Sequence, residues 1–136
     1  MNKDGLYFVS FAAVYWIDVF VRDEYCQTIV ESLDYCRKNK GLEIYSWVLM
    51  SSHIHLIIRA KEQNPDIVLG RFKEFTSKKI VNQIKENPQE SRKEWLLWMF
   101  ERAGVKSSNV SKYQFWQHHN KPIEHGWRTR VACVRK

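Results

Sequence analysis

The apolar positions change period along the chain. Residues 6–17, from Leu6 through Phe11 to Ile17, are a β-branched and aromatic run that predicts a first strand. From residue 23 the spacing turns helical. Cys26, Ile29, Val30, Leu33 and Cys36 form a stripe with a period of about 3.6 residues. Asp23 and Glu24 suit the positive end of a helix, and Lys38, Lys40 and Gly41 supply terminal cations and a stop. Leu42–Met50 and His53–Arg59 again read as strands. Ser51 and Ser52 join them, so the two predict a hairpin.

Asn64, Pro65 and Asp66 open a second helix whose inner face is Leu69, Phe72, Thr76, Ile80 and Ile84. Asn87 and Pro88 end it. Arg71, Lys78 and Lys85 recur at one position in seven and share its outer face, where a row of cations can track phosphates or simply meet water. Ser91–Ala103, rich in Trp95, Leu96, Trp98, Met99 and Phe100, predicts a third helix. Residues 104–109 read as a loop, Tyr113–Trp116 as a short strand, and His118–Pro122 as a turn. Strand, helix, hairpin, helices and strand in that order predict an α+β ferredoxin-like sandwich: a central antiparallel sheet with helices on one face and the other face open. No internal repeat is present.

The chain has 136 residues, enough for one core. At 44% hydrophobic residues, with six Trp, six Tyr and seven Phe, it has ample material for that core, which excludes disorder as the reading. A net charge of +7 is consistent with a polyanionic partner, most often nucleic acid. Cys26, Cys36 and Cys133 have no zinc spacing; Cys26 and Cys36 look like small core residues, and a reducing cytoplasm without disulfides is expected. No signal peptide or transmembrane segment is visible.

The most informative positions are His53 and His55. On a strand, residues two apart point the same way, with Cα atoms about 6.5–7 Å apart. Two imidazoles so placed can converge on one divalent cation or bracket one phosphate. Two histidines on a solvent-facing edge are the bland alternative.

With its flanks, residues 47–56, from Trp47 through Met50 and His53 to Leu56, resemble the two-histidine strand of the single-tyrosine (HUH) transposases, the IS200-like and REP-associated group. So do residues 17–20, 72–79, 94–98 and 113–117. The resemblance runs in order over residues 5–124, and residues 125–136 form an off-pattern tail. Relatives usually carry Asn where this chain has Ser52. The resemblance implies that His53 and His55 bind Mg²⁺ or Mn²⁺ against a scissile phosphate. The substrate would be single-stranded DNA beside a hairpin. A tyrosine would attack to give a 5′-phosphotyrosine link, and a second exchange would rejoin the strands. A homodimer is one state the family admits.

In relatives the tyrosine lies on a helix after the last strand. Residues 125–136 have neither a tyrosine nor a helical stripe. The expectation is therefore a sandwich missing its C-terminal helix, a shortened or frameshifted copy that binds DNA without cleaving it. Tyr113 is the latest tyrosine and a poor substitute; Tyr7, Tyr15, Tyr25, Tyr35 and Tyr45 mostly read as core or edge packing, and His118 and His119 as a solvated loop pair. Two other readings compete. A non-catalytic DNA-binding module is one. A histidine phosphoesterase is the other, and it fits poorly, since Ile57 stands where a third histidine would be needed.

Overall fold

The computed structural model describes residues 4–107, 112–118 and 123–124. Strand β1 (Tyr7–Ala12) alternates as its sequence requires: Tyr7, Val9 and Phe11 are buried, while Phe8 and Ser10 are only partly so. Helix α1 (Asp23–Asn39) follows, acidic in its first turn and basic in its last. Gly41 sits at φ +71°, and a Cβ there would lie 2.7 Å from the Glu62 side chain. Only glycine meets both conditions without strain. The chain then enters β2 (Leu42–Leu49) and β3 (His53–Ala60), an antiparallel hairpin closed by Met50 N donating to the His53 carbonyl at 2.8 Å.

Helix α2 (Pro65–Glu86) starts with Pro65 in its first turn and the Asn64 side chain accepting from Asp66 N at 3.0 Å, a full N-cap. Helix α3 (Lys93–Lys106) and a two-residue strand β4 (Ile123–Glu124) complete the elements among the described residues. The sheet order is β2-β3-β1-β4 with antiparallel neighbours, so β3 splits the β1-α1-β2 unit as in a ferredoxin-like fold. Ile29 and Leu33 of α1 join Phe72, Ile80 and Ile84 of α2 in one cluster with Val9, Phe11, Ile54, Leu56 and Ile58. Those strand residues all lie on one face of the sheet, so α1 and α2 cover that face and leave the other uncovered by them.

Several boundaries differ from the sequence reading. The first strand ends at Ala12, where two short 3-10 turns, Val14–Trp16 and Val19–Val21, break it. Helix α3 begins at Lys93, after Ser91, and runs through Gly104 to Lys106, which the sequence reading placed in a loop. An alanine or glycine late in a packed helix need not stop it when tertiary contacts hold the turn. Tyr113–Trp116 is not a strand. It makes a single antiparallel bridge, Ala13 to Trp116, and wedges aromatic rings into the core. Phe115 packs 5.2 Å from Phe100, and the Trp116 indole N–H donates to Thr76 Oγ1 at 3.0 Å. The last strand is instead β4. His119–Pro122 and the off-pattern tail at 125–136 lie outside the described residues.

Candidate metal and nucleic-acid site

Pairing places Ser10 of β1 beside His55 of β3, and Ala12 beside His53. The alternate residues Ile54, Leu56 and Ile58 carry the core, so both imidazoles project from the opposite face, which α1 and α2 do not cover. Their ring centroids are 4.8 Å apart and their planes nearly perpendicular, at 77°.

Each ring is oriented by a hydroxyl. Ser10 Oγ lies 2.6 Å from His55 Nδ1, and Ser52 Oγ lies 3.1 Å from His53 Nδ1. When Nδ1–H donates to the serine oxygen, the neutral ring carries its open lone pair on Nε2. Phe8 stacks on His55 at 5.5 Å and 18°, fixing that ring on its other side. Burial, and then the neighbouring His53, hold the His55 pKa below the ordinary imidazole value, which favours the neutral form that a cation requires. The donor set therefore fits a two-point grip on a divalent ion, with remaining positions for water or phosphate oxygen. Among the described residues no group of three or more His, Cys, Asp or Glu gathers around a common point.

Two features of the site were not legible beforehand. Ser10 is one; its signal was a polar residue alternating with Val9 and Phe11. Trp16 is the other. Its ring lies 5.4 Å from that of His53 at 73°, and the residue is 59% exposed. Tyr15 and Trp16 have φ of 56° and 53°, the left-handed region, which disfavours an L residue by roughly 1–2 kcal/mol each.

The predicted cation row stands elsewhere. Arg71, Lys78 and Lys85 are exposed on α2, on the side turned from buried Phe72, Thr76 and Ile80. Since α2 covers the core face of the sheet, the row does not meet the histidines. Lys78 pairs with Glu74 at 3.7 Å, and the Lys85 amine lies 4.7 Å from the Tyr113 ring centroid.

The tyrosines separate by environment. Tyr25 is fully buried, with its hydroxyl pushed up to about 12, chiefly by burial. Tyr7 is buried, and the Tyr45 hydroxyl donates to Glu43 at 2.8 Å. Tyr113 packs against the core, with Lys85 and Lys112 amines near its ring. Tyr15, Tyr35 and Tyr45, expected in packing roles, are exposed instead. His118 is not solely solvated: its Nε2 lies 2.8 Å from Ser107 Oγ.

An α+β domain with two histidines side by side on the sheet face opposite α1 and α2 is the arrangement this chain presents. The family model described as "Transposase IS200 like" matches residues 7–113, and the chain belongs to that family. Among solved structures, a protein assigned as a transposase from Deinococcus radiodurans R1 has a TM-score of 0.59 at 15% identity, covering 93% of this chain and 83% of that one. A REP-associated tyrosine transposase bound to a REP hairpin has a TM-score of 0.49 at 16% identity; the match takes in 92% of this chain but 58% of that one. No curated protein matches. Among the described residues no helix is long and apolar enough to cross a membrane.

Proposed function

We propose that this chain binds single-stranded DNA beside a hairpin, with His53 and His55 jointly holding Mn²⁺ or Mg²⁺ against a backbone phosphate. The observation that carries this reading is the pair itself: two imidazoles on the sheet face opposite α1 and α2, each with Nδ1 beside a serine hydroxyl. A cation held there supplies charge to offset that on phosphate oxygens. The chain's own residues orient the rings: Ser10 and Ser52 sit at the two Nδ1 atoms, and where each hydroxyl accepts from Nδ1–H the Nε2 lone pair is left open. Imidazole is a softer ligand than Mg²⁺ prefers, which favours Mn²⁺. The net charge of +7 and the family support a polyanionic partner. The exposed cations Arg71, Lys78 and Lys85 are proposed to hold flanking phosphates on the helical side of the domain.

Titrating Mn²⁺ into wild type and into the His53→Ala/His55→Ala double variant tests the grip. Heat release or Mn²⁺ relaxation should report binding to the first and none to the second. Equal binding by both would sink the assignment.

We further propose that these residues bind DNA without breaking it. Tyr7 and Tyr25 are buried, the Tyr45 hydroxyl donates to Glu43, Tyr113 packs against the core and Tyr35 lies on α1, across the sheet. That leaves exposed Tyr15, next to Trp16, as the candidate that an adduct assay must rule out. Incubation with hairpin-flanked single-stranded DNA and Mn²⁺ should give no covalent protein–DNA adduct. An adduct would restore the strand-transfer reading, and Tyr15→Phe and Tyr113→Phe would then identify the nucleophile.

A further inference from the structure

We propose that Trp16 is a stacking platform for one unpaired DNA base, seated beside the histidine pair so that the adjoining phosphate falls to His53 and His55. This rests on the DNA-binding reading above and adds to it the residue that positions the strand.

The backbone at Tyr15 and Trp16 is strained without an obvious packing return. Tyr15 and Trp16 are consecutive residues at positive φ, where glycine or asparagine would sit with less strain. Their neighbours Val14 and Ile17 point into the core and are buried. Trp16 does not: it keeps 59% of its surface exposed, and Tyr15 keeps 43%. The position most hostile to a large side chain thus holds the largest one, turned to solvent. Strain of this kind persists only where surrounding contacts over-determine it, and it concentrates at binding sites.

Those contacts tie the turn to the histidine hairpin. Ala13 N donates to the Ser52 carbonyl at 2.9 Å, Phe20 N to the Ser51 carbonyl at 2.8 Å, and Ser51 Oγ to Asp18 at 2.7 Å. Val14 N donates to the Phe115 carbonyl, and Trp16 N to the Ala13 carbonyl. Ser52, gripped by this turn, also bears the hydroxyl beside His53 Nδ1. The turn that bears the indole and the hairpin that bears the imidazole are therefore tied together, with the two rings 5.4 Å apart between centroids. At 73° the two rings cannot stack face to face on each other. An exposed indole beside a phosphate-facing pair suits a nucleobase, since every base offers a flat π-surface and stacking needs no particular sequence.

The test uses the full chain, Mn²⁺ and a fluorescent DNA hairpin with single-stranded flanks, read by anisotropy. Trp16→Ala should bind about five- to a hundred-fold more weakly than wild type, and Trp16→Phe should keep most of the affinity. Abasic nucleotides placed singly along the flank supply a readout that a purely structural role would not move. One position should weaken wild type about as much as Trp16→Ala does, and should not weaken that variant further. If Trp16→Ala fails to fold by circular dichroism, the same abasic scan on wild type against Trp16→Phe decides. Tight binding by folded Trp16→Ala, or a flank with no such position, overturns the platform while leaving the DNA-binding reading intact. Failure of wild type itself to bind the hairpin probe overturns both.

Discussion

Two polar clusters in this domain meet opposite fates. Around Glu90, burial is nearly complete and both carboxylate oxygens are taken. Arg22 Nε donates to one at 2.8 Å and the Tyr25 hydroxyl at 2.9 Å; Arg92 N and Nε donate to the other at 3.1 and 3.2 Å. This knot ties α1 to the segment between α2 and α3. At the histidine pair, each ring has a serine at Nδ1 and stands on the sheet face that α1 and α2 leave open. A carboxylate with both oxygens filled marks structure, even with Arg92 Nη2 buried there without a hydrogen bond among the described residues, whereas an oriented pair with open positions marks a place for a ligand.

Breaking each cluster should therefore be felt in different measurements. Glu90→Ala removes the shared acceptor of two arginines and a buried phenol. It should destabilise the fold by roughly 3 kcal/mol or more, a figure held near the low end for buried pairs because both arginines are partly open to water. A urea melt checks this, and a loss under about 1 kcal/mol would show that the knot is not structural. The His53→Ala/His55→Ala variant should reverse the pattern, melting within about 1 kcal/mol of wild type while losing Mn²⁺.

Acid sharpens the same contrast. Burial works against the Glu90 carboxylate, but its hydrogen bonds to Arg92 and Tyr25 prevail and hold its pKa below the ordinary 4.5. Its stabilisation is present above 4.5 and is lost as pH falls through the lowered folded value. His55 has the opposite charge logic. Its folded pKa lies below the ordinary 6.5, so the unfolded chain binds its proton first. Stability should fall as pH drops from 6.5 toward that folded value, and His55→Ala should flatten the slope in that window alone. Melts across the two ranges separate the groups. The smallest effect concerns the strained turn: Tyr15→Asn should raise stability by about 0.5–1 kcal/mol, since asparagine tolerates positive φ better.

The strands and helices around the pair could be read from local patterns. The Asn64–Pro65 cap, the glycine after Lys40 and the stripe from Cys26 to Cys36 each act within a few residues, and each element formed where its pattern lies. Misreadings arose where distant contacts override local preference. Residues 113–116 alternate like a strand, yet Phe115 and Trp116 are drawn into the core by Phe100, Phe20 and Thr76. Leu6–Ile17 is continuous in composition, but the chain turns at Ala13 because Ser52 and Phe115 capture its amides.

That His53 and His55 share a side follows from the pleat of any strand, a property of two consecutive peptide units, and so the sequence alone determined it. Which side α1 and α2 leave open, that Ser10 orients His55, and that Trp16 stands beside His53 came from the β1–β3 register and from α1 and α2 packing on the opposite face. Those are pairings between residues about forty positions apart, chosen by the burial of one shared core, and no local pattern encodes them.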